Sequence, residues 1–240
     1  MKSEHQGGRM SDPYYKDDLV TLYHGDCLEV AEWLDADVLV TDPPYGVAWQ
    51  ALALNDKKSQ RDLAVQSIVS DESTVARDEA ISAWGDRPAV VFGSWRHPLG
   101  KRLSHRLIWH KRGRQPGITS AAFYPNDEEI WLIGKGWVSD TPTPTVITTD
   151  EQRGQQPKLI GHPTPKPIGL METLISKCPP GVIADPFAGS GATLLAARNL
   201  GRPSIGVELE ERYCELIAKR LSQQAFDFGN LEDEVRSSGW

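Results

Sequence analysis

Cysteine is scarce in this chain of 240 residues: Cys27, Cys178 and Cys214 are odd in number and far apart. Such usage fits reduced thiols better than the disulfide frame of a small secreted domain. Long apolar runs are missing too. None approaches the roughly 18 residues of a membrane-spanning helix, and the opening MKSEHQGGRMSD lacks a signal-peptide core. A cytoplasmic location is the expectation. Basic residues are outnumbered, 26 Lys and Arg against 33 Asp and Glu, leaving a net charge of −7 and a pI near 5.4. That balance argues against a nonspecific polyanion binder. His24, His97, His105, His110 and His162 show no ligand spacing, so no metal is expected.

What is present is an alternation of strand and helix patterns. VTLYHGD reads as a strand, and CLEVAEWL has helical spacing through Leu28, Ala31 and Leu34. ADVLVT is apolar without polar alternation, as in parallel strands buried on both faces. A helix from about Arg77 to Trp84 and strands in PAVVFGS, RLIWHK and EEIWLIGKG follow. Residues 47–75 are weakly periodic and read as a lid or long connection; 138–160, rich in Thr, Pro and Gln, read as irregular; 222–240 form a tail. Trp49, Trp84, Trp95, Trp109 and Trp131 are expected to be packing residues. The pattern predicts one doubly wound α/β domain over 1–240.

Three stretches carry chemistry. In DPPYG, Asp42 ends a buried strand, where open α/β sheets place their ligands. Pro43 and Pro44 remove two donors and present rigid carbonyls, and Tyr45 follows directly. In VIADPFAGSGATLLAARNLG, Gly189 and Gly191 allow close backbone approach to a ligand at a helix amino terminus. Glu208 ends the next strand about 20 residues later, where a carboxylate suits ribose hydroxyls. Asp185, before the glycine turn, suits an amino-acid ammonium better than a pyrophosphate. A dinucleotide-dependent dehydrogenase is excluded by order, because its glycine turn would follow the first strand. The third stretch, 96–114, holds Arg96, Lys101, Arg102, Arg106, Lys111, Arg112 and Arg114 with no acid. It reads equally as a nucleic-acid footprint or a solvated charged surface.

DPPYG, HPTPKP (162–167), DPFAGSGAT (185–193) and GVELEERYCELIAKRL (206–221) together resemble the amino-methylating DNA methyltransferases that use S-adenosylmethionine, in the circularly permuted group whose catalytic motif comes first. The resemblance spans about Val20 to Leu221 and implies a mainly parallel, seven-stranded sheet. It implies that Asp185, Phe187, Gly189 and Gly191, with Ala188 and Ser190 between them, wrap the methionine part of the cofactor. Glu208 would hold the ribose, Asp26 the adenine amino group, and Thr164 with Lys166 would close the cofactor site. Pro165 stands where many relatives have Gln.

On this resemblance, Asp42 and the carbonyl of Pro43 accept hydrogen bonds from the exocyclic amine of a base. Pro44 stiffens the turn, and Tyr45 stacks on the base, swung out of double-stranded DNA. Asp at position 42 favours adenine N6; cytosine N4 is the alternative. An RNA or protein-amide N-methyltransferase and a non-catalytic DNA-binding regulator also remain open. Phe123, beside Tyr124, matches an aromatic of the target-base pocket. The interval 136–160 is short for a recognition region, so a short or relaxed target, or a homodimer or partner supplying contacts, is expected. The Pro-Cys motif of carbon-5 cytosine methylation is missing, which removes Cys27 as a nucleophile.

Overall fold

Val38–Thr41 form a strand, β3, in which every residue is buried, and the alternation of its side chains organises the molecule. Val38 and Val40 turn to one face, where they meet Leu170, Met171, Leu174 and Ile175; Leu39 turns to the other, with Trp33, Ile81 and Trp84. A strand covered on both sides is the hallmark of a doubly wound sheet. The structure is a computed structural model that describes residues 12–46, 73–113, 122–124, 126–150 and 164–223. Most of the expected lid and tail, Arg114, Trp49 and His162 therefore lie outside the described residues.

The strands are β1 (Tyr15–Lys16), β2 (Val20–His24), β3, β4 (Ala89–Gly93), β5 (His105–Arg112), β6 (Asp127–Ile133), β7 (Val146–Asp150), β8 (Ile183–Asp185) and β9 (Ser204–Glu208). They make one sheet in the order β1-β2-β9-β8-β3-β4-β6-β5-β7. β2, β9, β8, β3 and β4 run parallel; β6 runs antiparallel to both β4 and β5, and β7 pairs parallel with β5. Helices α1 (Val75–Trp84), α2 (Ile168–Ser176), α3 (Ala192–Asn199) and α4 (211–223) cover the faces.

Nine strands replace the expected seven. The additions are two-residue β1 and, more informatively, β7, which occupies part of the stretch expected to be irregular. There the β-branched run Val146-Ile147-Thr148-Thr149 finds a ladder partner in β5, and Ile147 packs against the core. CLEVAEWL is not an α-helix. Asp26 accepts the N–H groups of Glu29 and Val30, and only a 3₁₀ turn, Glu32–Asp35, follows. Its Trp33 donates to Cys27 O over 2.8 Å and stacks on Trp84. Helix α2 lay hidden behind the prolines of HPTPKP; Pro167 is its N-cap, and Leu170, Met171, Leu174 and Ile175 repeat at helical spacing.

No described helix is long and apolar enough to cross a membrane.

Candidate active site

Parallel strands deliver their carboxyl ends to one edge, so Asp42, Asp185, Glu208 and the Gly25-Asp26 turn converge there from β3, β8, β9 and β2. Two of these acids are buried without a described cation beside them. Asp185 Oδ1 accepts the Thr41 hydroxyl over 2.8 Å and the Phe187 N–H over 3.2 Å, and Thr193 adds a further hydrogen bond. Burial outweighs these donors and pushes its carboxyl up to about 6. Glu208 accepts the N–H groups of Gly189 (2.7 Å) and Glu210 (2.8 Å), yet burial still lifts it to about 7. The main chain closes the same corner, since Gly25 N–H donates to Glu208 O over 3.0 Å.

The glycine turn has its own reasons for glycine. Gly189 and Gly191 both have positive φ, 52° and 78°, and a Cβ on Gly191 would come within 2.9 Å of Ile217. Gly191 is thus required by the packing of α4 as much as by any ligand. Ala188 and Ser190 are buried, Phe187 packs partly into the core, and Arg220 donates to Ser190 O. Asp26 is exposed and caps its own turn through Leu28 N–H at 2.9 Å. Thr164 is half-buried.

Around Asp42 lies a cluster of charges. Lys166 Nζ is 2.5 Å from Asp42 Oδ2 and 3.2 Å from Glu128 Oε2, and Lys111 pairs with the other oxygen of Glu128. The Tyr45 hydroxyl donates to Asp42 Oδ1 at 2.5 Å and to Glu128 Oε2 at 3.3 Å. The Lys166 side chain is only 7% exposed and its ammonium lies 5.0 Å from the Phe92 ring centre. Burial opposes its charge, but Asp42 and Glu128 prevail and raise its pKa. Burial likewise opposes ionisation of Glu128, and Lys166 with Lys111 outweighs it, drawing the carboxyl down to about 2. Asp42 moves upward, driven by burial and by Glu128 against the pull of Lys166. Burial and both acids hold the Tyr45 hydroxyl well above its ordinary range, so it remains a donor.

Several sequence expectations change. Lys166 was expected to close the cofactor site; its ammonium pairs with Asp42 and Glu128. Lys111 was expected on a DNA-binding face, but it is buried and paired with Glu128. The basic stretch is not one surface. Arg96 follows β4 at the carboxyl-end edge of the parallel strands, whereas Lys101 reaches Gly85 and Asp86, which precede β4 at the opposite edge, with Arg102 beside it. Arg106, second in β5, pairs with Glu129, and Arg112 forms a double hydrogen bond with Asp150. Trp84, Trp109 and Trp131 are buried as expected, but Trp95 is 71% exposed beyond the carboxyl end of β4, with the Arg96 guanidinium 5.6 Å from its ring. Phe123 is 91% exposed. Cys27 is buried, which lifts its thiol to about 12 and leaves no thiolate for nucleophilic chemistry.

Glu128 and Thr41 escaped sequence reading. A signal existed for the first: Glu128 is in period two with Ile130 and Leu132, and Lys111 with Trp109 and Leu107, all on the core face of paired strands. Charged residues in register with core positions are informative because they need partners.

A family model described as DNA methylase, of the N6/N4 methyltransferase type, matches residues 36–220. The chain belongs to this N6/N4 DNA methylase family. Among relatives of the methylase, the type II methyltransferase M.ScaI of Streptomyces caespitosus is 27% identical, over 90% of this chain and 86% of its own. The putative methylase YubD of Escherichia coli K12 is 29% identical, over 88% and 94%. The crystal structure of an M1.HpyAVI–SAM complex is similar with a TM-score of 0.57 and 25% identity, covering 84% of this chain and all of that one. The PvuII cytosine-N4-specific DNA methyltransferase shares the fold, with a TM-score of 0.62 at 19% identity over 87% and 88%.

Proposed function

We propose that this methylase transfers a methyl group from S-adenosylmethionine to the N6 amine of adenine, swung out of double-stranded DNA. The cofactor supplies an activated methyl on a sulfonium. The residues fit that group: Asp185 and Glu208 are buried acids, neither paired with a cation among the described residues, and both are fixed by backbone or hydroxyl donors. Asp185 would take the ammonium and Glu208 the ribose hydroxyls, with Asp26, Phe187 and the 188–191 turn around them.

The observation that carries the reading is the bond between Thr41 and Asp185. It couples the strand end bearing the acceptor acid to the strand end bearing the cofactor acid, at 2.8 Å. The two acids thus sit at the ends of adjacent strands, and holding two bound molecules side by side is what a methyl transfer between them requires. An exocyclic amine is a poor nucleophile because its lone pair is delocalised into the ring. Asp42 and the Pro43 carbonyl, accepting its two N–H groups, favour a pyramidal nitrogen and stabilise the positive charge that develops. Each carboxylate oxygen has two acceptor sites, so Tyr45 and Lys166 still leave Asp42 able to receive the amine. Asp rather than Ser at position 42 favours adenine. The exposed Trp95, Arg96 and Phe123 supply the DNA-facing surface, and one sheet carrying both halves of the site supports a single domain.

Labelled S-adenosylmethionine incubated with separate pools of duplex DNA, RNA and protein, followed by nucleoside mass spectrometry, tests this. N6-methyladenine in DNA is expected. N4-methylcytosine would overturn the base assignment, and label confined to RNA or protein would overturn the substrate.

A further inference from the structure

Glu128 touches neither half of the proposed chemistry from a sequence motif, yet it holds the centre of the charge cluster. It sits on β6, the antiparallel strand between β4 and β5, where His110 pairs with Asp127 and Gly93 with Glu129. One oxygen receives Lys111 from β5; the other receives Lys166 at 3.2 Å and the Tyr45 hydroxyl at 3.3 Å. A buried ammonium with a single carboxylate partner would be drawn wholly onto that partner. A second carboxylate divides it.

We propose that Glu128 is a positioning residue for methyl transfer: anchored by Lys111, it sets how closely and with what charge Lys166 engages Asp42. The inference rests on Asp42 being the amine acceptor. Two carboxylates and two ammoniums make the cluster neutral, so Asp42 is neither stripped of counter-charge nor locked by an undivided lysine. The charged and titratable groups facing Asp42 are Lys166 from the segment before α2, Glu128 from β6, Lys111 behind Glu128 from β5, Tyr45 from its own loop, and Asp185 from β8. Phe92 and Trp109 complete the wall around Lys166.

The test is the pH dependence of kcat for methyl transfer to DNA, with calorimetric S-adenosylmethionine affinity alongside. Lys166→Met removes the positive neighbour, so the acid limb should move up by about one unit or more. Glu128→Gln removes a negative neighbour, so the limb should move down. The double variant should return it towards the wild-type position. Glu128→Asp, which keeps the charge and the fold but shortens the reach, should lower kcat with the limb in place. Cofactor affinity should stay within about threefold throughout. Equal rate losses without limb shifts would make Glu128 a merely structural residue and overturn the proposal. Asp42→Asn run in parallel separates the two readings: if it stays active, the acceptor assignment falls, and this inference with it.

Discussion

The Gly189 backbone N–H donates to Glu208 Oε2 over 2.7 Å, joining the glycine turn to the end of the neighbouring strand 19 residues later. An acid so held is oriented before any ligand arrives, and it is also kept from water, which lifts its pKa to about 7. Asp185 next to it stands at about 6 for the same reason.

From this follows a pH dependence of cofactor affinity. Ionised carboxylates accept ribose hydroxyls and an ammonium better than protonated ones, so calorimetric affinity for S-adenosylmethionine should rise between about pH 5.5 and 8. Stability of the cofactor-free protein should run the other way. Both acids titrate higher in the folded chain than their ordinary 3.8 and 4.5, so the folded state holds more protons across that interval. Their contribution is fully present below the ordinary values and lost as pH rises through about 6 and 7. Glu208→Gln should flatten its share of both trends.

Asp42→Ala should reduce methyl transfer by at least about 10²–10³-fold while leaving cofactor affinity within a few fold, because the acceptor and cofactor acids are on different strands. Single-turnover transfer of label to DNA and titration calorimetry measure the two separately. Comparable losses in both would mean that the variant had disturbed the shared edge.

Gly191→Ala should destabilise the fold by about 1–2 kcal/mol from the left-handed backbone alone, with the approach to Ile217 adding to it. A thermal melt checks this. Gly201→Ala is the control: its φ is also positive, at 66°, but nothing lies within 4 Å of the added carbon, so its loss should be the smaller of the two.

Trp95→Ala should leave the melting temperature almost unchanged, since the ring is 71% exposed, and should weaken duplex DNA binding by fluorescence anisotropy. A loss of roughly 5-fold to 150-fold corresponds to one stacking contact of about 1–3 kcal/mol. Unchanged affinity would remove Trp95 from the DNA surface.

The proposed cofactor half of the site was legible in the chain as a structural unit because its determinants are local. An apolar strand, a glycine turn and a helix follow each other in twenty residues, and Asp185 and Glu208 are at strand ends that periodicity alone locates. The proposed catalytic half was legible only as far as Asp42 and Tyr45. Lys111 and Glu128 meet because β5 and β6 pair in one register, and Asp42 comes near them because β3 lies two strands from β6 in the sheet; sheet order is not written in any short window. The basic run 96–114 misled for the same reason. The chain crosses from one edge of the sheet to the other between Arg96 and His105, so neighbours in sequence are distant in space. Strand β7 was obscured by Pro142 and Pro144 immediately before it.

The centre is stitched from remote parts of the chain: 124 residues separate Lys166 from Asp42, 144 separate Asp185 from Thr41, and 83 separate Glu128 from Tyr45. Closing loops of that length comes late in folding, after local helices and hairpins have formed. No fragment that stops short of α2 contains the Lys166 end of the cluster, and none that stops short of β8 contains the Asp185 end. On the ribosome, the cluster can therefore close only after β8 and α2 have both emerged, and in refolding its formation marks completion of the sheet rather than its nucleation.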